Sequence, residues 1–214
     1  MRINLPHPNK FAKIWEEVTD VALNKTVKGI VTDSREVRPG DLYIAISGDR
    51  VDGHTFIKDV FEKGAVCALV NSEIENADEQ LIKVNNSVST IGKVAKAWRN
   101  QFDIPVMGIT GSNGKTSTKE LLKHMLSAQF NIHATEGNFN TSIGLPLTLL
   151  RLTKENTMSL LEMGANQPGD IAQLCEIAQP THGVITNIAP AHLEGFGTIE
   201  AVAKTKGELF ACLA

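Results

Sequence analysis

Ten residues of this chain, GITGSNGKTS from Gly108 to Ser117, stand between an apolar run, IPVMGIT, and an amphipathic one, TSTKELLKHMLSAQ. No other feature restricts the fold as much. An apolar strand has to end, curl through glycines and restart as a helix within a few residues. Gly111 and Gly114 let the backbone curl so that successive N–H groups point at phosphate oxygens. Lys115 adds a point charge suited to β- and γ-phosphates, and the Thr116 hydroxyl suits Mg²⁺. The usual pattern GxxxxGK[ST] has its first glycine where this chain has Ile109, and a glycine stands one residue earlier at 108. Nucleotide phosphate binding is therefore predicted for Gly111, Ser112, Asn113, Gly114, Lys115, Thr116 and Ser117. The motif by itself does not choose between a ligase, a kinase and a GTPase.

The flanking sequence predicts an α/β protein. Downstream of Pro105, strands and helices alternate: NIHAT, TMSLLEM and HGVITNI read as strands. PGDIAQLCEIA reads as a helix with Pro168 suited to its first turn, and TIEAVAKTKGELFACL as a final helix. In the helix after the phosphate loop, Leu121, Leu122, Met125 and Leu126 are expected to face inward. Such a series builds a parallel sheet covered by helices, with ligands beyond the carboxyl ends of its strands. Upstream, the strands GIVT, LYIAIS, AVCALV and LIKV surround one helix, HTFIKDVFEK, which stops at Gly64. Ser87 opens a further helix with Val88, Ile91, Val94, Ala95 and Trp98 on one face. The expected organisation is one α/β domain over 1–86, a connecting helix over 87–103 and a P-loop domain over 104–214.

Bulk properties exclude several classes. Apolar residues make up 42% and charged residues 21%, so the chain can build a core. A net charge of −3 without a basic stripe argues against nucleic acid as a partner. No run reaches the roughly 18 apolar residues of a membrane span, and MRINLPHPNKFAKIW has no apolar signal core. Cys67, Cys175 and Cys212 are too dispersed for a zinc site or a disulfide framework, and each is expected to be a buried or half-buried thiol.

Three more side chains fall near the same sheet edge. Glu162 ends the strand MSLLE, where P-loop proteins hold a metal carboxylate; read alone it is an ordinary strand-end acid. His192 follows the next strand in TNIAPAHLEGFG, and Lys206 lies in the helix AKTKGELF. Taken singly, these are a solvated loop histidine and a surface lysine.

Together, TGSNGKTS, the glutamate of LLEMGAN, the histidine of PAHLEGFG and the lysine of AKTKGELF resemble the Mur ligase family in order and spacing. GNFNTSIGLP and AHLEGFG are most similar to the branch that adds D-alanyl-D-alanine to UDP-MurNAc-tripeptide. TDSREVRPGDLYIAISG resembles the family's UDP-binding domain. The resemblance implies an ATP-dependent ligase of peptidoglycan synthesis, cytoplasmic and monomeric, with ATP and Mg²⁺ as cofactors. It activates a carboxylate as an acyl phosphate for attack by an amine. By the same resemblance, Lys115, His192 and Lys206 belong to the catalytic centre. Thr116, Glu162, His192 and Lys206, the last as a carbamate, hold metal. Ser34 and Arg35 meet the UDP part of the substrate, and Asn138 and Asn140 the sugar-peptide side, with Arg50 a further candidate. Two departures stand out: Ala191 precedes His192 where sister ligases have aspartate, and Thr141 stands where relatives often read NFNN. The family's adenine contacts and amine-delivering third domain would lie past Ala214, so the chain is expected to be an N-terminal fragment, inactive alone. Another Mur-type ligase, adding the third amino acid, and a non-catalytic nucleotide-binding module remain the alternatives.

Overall fold

The computed structural model describes residues 1–48, 51–74, 80–191 and 193–213. Arg50 and His192 therefore lie outside the described residues. The chain divides into two compact units, Met1–Trp98 and Arg99–Ala214.

The first unit is built on a five-stranded sheet in the order β1-β2-β3-β4-β5. These strands are β1 (Arg2–Asn4), β2 (Gly29–Val31), β3 (Asp41–Ile44), β4 (Cys67–Val70) and β5 (Leu81–Lys83). Strands β2 to β5 run parallel, and β1 pairs antiparallel with β2. Continuous burial of β2, β3 and β4 fits their unbroken apolar character. The β1 edge is fastened by a bidentate pair: Arg2 Nε and Nη2 donate to the two carboxylate oxygens of Asp41 at 2.7 and 2.8 Å.

Three α-helices belong to this region, where two were expected: α1 (Pro8–Thr19), α2 (Ile57–Glu62) and α3 (Ser87–Arg99). Helix α1 and strand β1 were not anticipated. Pro8 occupies the first turn of α1, and Phe11, Ile14 and Trp15 recur on its buried face. The expected helix HTFIKDVFEK is a 3-10 turn, Gly53–Phe56, continued by α2. Ile91, Val94, Ala95 and Trp98 of α3 are buried as expected.

The second unit has a four-stranded, wholly parallel sheet in the order β7-β8-β6-β9. Its strands are β6 (Val106–Thr110), β7 (Ile132–Ala134), β8 (Met158–Glu162) and β9 (His182–Ile185). From β6 the chain crosses to β7, returns to β8 beside β6, then moves to β9 on the other side. The direction of winding thus reverses at β6, which opens a crevice at the carboxyl ends of β8, β6 and β9. Helix α4 (Lys115–Leu126) packs on β6, β7 and β8. Helices α6 (Asp170–Ala178) and α8 (Ile199–Ala211) pack on each other, and α8 also on β6 and β9. Two short helices, α5 (Gly144–Leu149) and α7 (Leu193–Phe196), were not anticipated.

Three expectations need correction here. Leu121 and Met125 are 65% and 70% exposed, because the inward stripe of α4 passes through Lys119, Leu122 and Leu126 instead. Pro168 precedes α6, whose cap is Gly169. Cys212 is exposed, although Cys67 and Cys175 are buried.

Candidate nucleotide and metal site

The phosphate loop leaves β6 at Thr110 and enters α4 at Lys115. Gly111 has φ +146°, and a Cβ there would stand 1.9 Å from Thr186 Oγ1. Gly114 caps α4 in the left-handed region, φ +78°. The loop is stapled to the segment after β9. Ser112 N–H donates to the Asn187 carbonyl at 3.1 Å, and Asn113 N–H to Asn187 Oδ1 at 2.9 Å. Ser112 Oγ donates to the Ala189 carbonyl at 2.8 Å, and Thr186 Oγ1 to the Asn113 carbonyl at 2.6 Å. Two of the loop's amides are thus engaged internally. The first helical bond of α4 is Thr118 N–H to the Gly114 carbonyl, 2.9 Å, so the amides of Lys115, Thr116 and Ser117 point out of its N-terminus. That end carries the positive pole of the helix and attracts an anion. The Lys115 ammonium arches back over the loop and donates to the Gly111 carbonyl at 2.8 Å.

Glu162 is the last residue of β8 and pairs in register with Ile109, so its side chain emerges beside the loop. Only 3% exposed, its carboxylate is held at both oxygens. Thr116 Oγ1 donates to Oε2 and Asn140 Nδ2 to Oε1, each at 2.8 Å. Its backbone N–H donates to Thr135 Oγ1 at 3.0 Å. Thr116, Glu162 and Asn140 therefore meet at one point, and the Thr116 and Glu162 oxygens are the hard donors that a magnesium ion takes. Lys206 is 2% exposed on α8. Burial first, and the charge of Lys115 second, push its ammonium down from its ordinary value. Among the described residues it has no ion pair or hydrogen bond. Asn138 is exposed in the loop after β7, and Thr141 starts α5 by accepting from Leu145 N–H at its carbonyl, 2.8 Å. A polar cavity of about 300 Å³, lined by Thr141, Ser142, Gly164, Asn166 and Asp170 among others, opens alongside.

In the first unit, Ser34 and Arg35 follow the carboxyl end of β2. Ser34 is buried, and its carbonyl accepts from Lys63 Nζ at 3.0 Å. Arg35 is 85% exposed and folded onto Asp33, with Nε and Nη2 donating at 2.9 and 2.6 Å. That guanidinium, followed by the Arg35 backbone amide, holds the Asp33 carboxyl well below the usual carboxylate range.

With this geometry in hand, residues 26–99 match the Mur ligase family, catalytic domain, and residues 109–214 match the Mur ligase middle domain. The chain belongs to the Mur ligase family. It is similar to the UDP-N-acetylmuramoyl-tripeptide–D-alanyl-D-alanine ligase of Synechocystis sp., with 38% identity over 91% of this chain and 43% of that protein. Among solved structures it is similar to MurF from Acinetobacter baumannii, with TM-score 0.87, 33% identity, and coverage of 95% of this chain and 46% of that one. A second is the MurF ligase from Thermotoga maritima in complex with ADP, with TM-score 0.78, 42% identity, and coverage of 86% and 43%. The chain thus spans less than half the length of each of these relatives.

In this Mur ligase chain several supporting residues escaped the sequence reading. Lys119 is 1% exposed and ties α4 to the end of β7, donating from Nζ to the Thr135 carbonyl at 2.6 Å. Its periodic match to Leu122 and Leu126 was the only available sign. Thr186 and Asn187, which shape the loop, carry no local signature. His133 is buried between β8 and α5. Its Nε2–H donates to the Thr148 carbonyl at 2.9 Å, so Nδ1 accepts from Ser159 Oγ at 2.8 Å. Burial drives its imidazole down to about 4.

Proposed function

We propose that the protein containing this chain is an ATP-dependent ligase that adds D-alanyl-D-alanine to UDP-MurNAc-tripeptide. The observation that carries this reading is the Thr116–Glu162–Asn140 junction, a buried carboxylate held at both oxygens beside a phosphate loop. The name of the Synechocystis relative supplies the substrate class.

The chemical difficulty is that a carboxylate resists attack until its oxygen becomes a leaving group. Phosphorylation by ATP supplies that leaving group, and the amine of D-alanyl-D-alanine then displaces phosphate. The N-terminal amides of α4 would hold the phosphates. Lys115 would exchange its bond to Gly111 for one to the transferring group, stabilising charge where it develops. Asn140 would keep Glu162 oriented while Thr116 and Glu162 hold Mg²⁺, which when bound neutralises phosphate charge. His192 and Lys206 complete the proposed metal set. An ammonium at 206 would repel the cation. Reaction of the neutral amine with CO₂, with loss of a proton, replaces that charge with a carbamate, and the burial of Lys206 without a counter-ion among the described residues supports this assignment. Ser34 and Arg35 would receive the UDP part on the domain over 1–86, with Arg35 released from Asp33 to meet the diphosphate. Asn138 would meet the sugar-peptide side. A reaction that consumes ATP and a UDP-linked substrate would run in the cytoplasm, where both are made.

The test compares two variants of the ligase that contains this chain. Lys115→Ala should abolish phosphate release in the presence of both substrates while leaving UDP-substrate binding nearly intact by calorimetry. Arg35→Ala should weaken that binding. Loss of the same property in both variants would refute the division of labour, and no phosphate release by the unmodified protein would refute the ligase reading.

A further inference from the structure

Helices α6 and α8 both follow strands of the parallel sheet and therefore run in the same direction, and one side chain fixes their register. Glu208 of α8 accepts from Gly169 N–H at 3.0 Å and from Ala172 N–H at 2.9 Å, at the start of α6. One turn beyond Glu208 stands Cys212, and one turn beyond Ala172 stands Cys175. Leu209 lies over Gly108 and Gly183, which seats this end of α8 on the sheet. Leu209 shares its place over Gly108 with Met163, the residue that Cys175 touches, so Cys212, one turn beyond Leu209, is brought toward Cys175. Cys175 Sγ also lies 4.0 Å from Met163 Sδ, on the residue after Glu162. The pair is asymmetric, since Cys175 is buried and Cys212 exposed.

We propose that Cys175 and Cys212 form a reversible redox pair, oxidised by peroxides to an intrachain disulfide that fastens α8 to α6. The step balances in two parts. The Cys212 sulfur attacks hydrogen peroxide, breaking its O–O bond, and gives a sulfenic acid and one water. The Cys175 sulfur then attacks the Cys212 sulfur, its proton leaves with the hydroxyl as a second water, and the S–S bond forms. Cys212 is where oxidant arrives. Burial, followed by the proximity of Cys212, pushes the Cys175 thiol up. This inference is independent of the ligase reading, because it rests on two helices and their thiols alone. Its consequence for the site is that oxidation would tether the helix that carries Lys206.

The experiment exposes the purified reduced chain to hydrogen peroxide and follows thiol titration and peptide mapping by mass spectrometry. The expected result is loss of two of the three titratable thiols under denaturing conditions, a mass loss of two hydrogens, and a cross-linked peptide joining Cys175 to Cys212. Dithiothreitol should reverse all three. Cys212→Ser, at an exposed position, should form no intrachain bond. Persistent oxidation of Cys212 to sulfinic acid with Cys175 still free would overturn the proposal, as would disulfide-linked dimers through Cys212 or a bond to Cys67.

Discussion

His133 should make the second unit lose stability as the pH falls below neutrality. Its imidazole is held neutral by burial, is bonded to Ser159 and Thr148, and ionises only near pH about 4, against 6.5 in an unfolded chain. The folded-state value is depressed, so below 6.5 the unfolded chain takes up a proton that the folded chain refuses. Stability contributed by the neutral ring is complete above 6.5 and falls away between 6.5 and about 4. The slope is about 1.4 kcal/mol per pH unit, which gives about 2 kcal/mol at pH 5 and about 3 kcal/mol at the lower limit. That is a large part of the total stability of a typical domain. The perturbation is His133→Gln, which keeps a donor for the Thr148 carbonyl and carries no charge at any pH. Urea unfolding at pH 7.5 and pH 5 should be followed by far-UV circular dichroism, because both tryptophans, Trp15 and Trp98, belong to the first unit. The unmodified chain should lose about 2 kcal/mol more than the variant over that interval. An imidazole NMR titration gives the ionisation directly. Equal pH dependence in the two proteins, or a His133 resonance with a midpoint near 6.5, would refute the reasoning.

Two other outcomes are expected. Gly111→Ala should destabilise the chain by about 2 kcal/mol or more, from a left-handed backbone and a collision with Thr186, whereas Gly114→Ala, with open space around it, should cost only about 1 kcal/mol. Equal urea midpoints for the two variants would contradict the stapled loop. Lys206→Ala in the ligase that contains this chain should be nearly inactive and partly restored by short carboxylic acids, and unchanged phosphate release would exclude the carbamate.

The β6–loop–α4 passage was legible because its apolar pattern changes period within ten residues, and strand-end Glu162 because it closes a short, mostly apolar strand. Other parts were hidden for specific reasons. Helix α1 was overlooked although Pro8 and the spacing of Phe11, Ile14 and Trp15 encode it. Helix α5, GLPLTL, is buried on every side and so shows no polar face by which to recognise a helix. Lys119 reads as a surface residue until the Thr135 carbonyl is found beside its ammonium, and its inward turn sends Leu121 and Met125 to solvent. The Asn140 amide is engaged with Glu162, a contact between a loop and a strand end that no local pattern encodes. Between Cys175 and Cys212 the chain completes α6 and passes through β9, α7 and α8, and only parallel helices in register bring the two thiols together.

The staple between the phosphate loop and the residues after β9 has a bearing on biosynthesis. Ser112 and Asn113 find their partners 73 to 77 residues further along the chain. At about 5–20 residues per second, a ribosome needs roughly 4–15 s to supply them. During that interval the nascent loop has its glycines but lacks the contacts that fix its shape. On the proposed function, the loop would therefore gain its nucleotide affinity late in synthesis, only once β9 has docked beside β6.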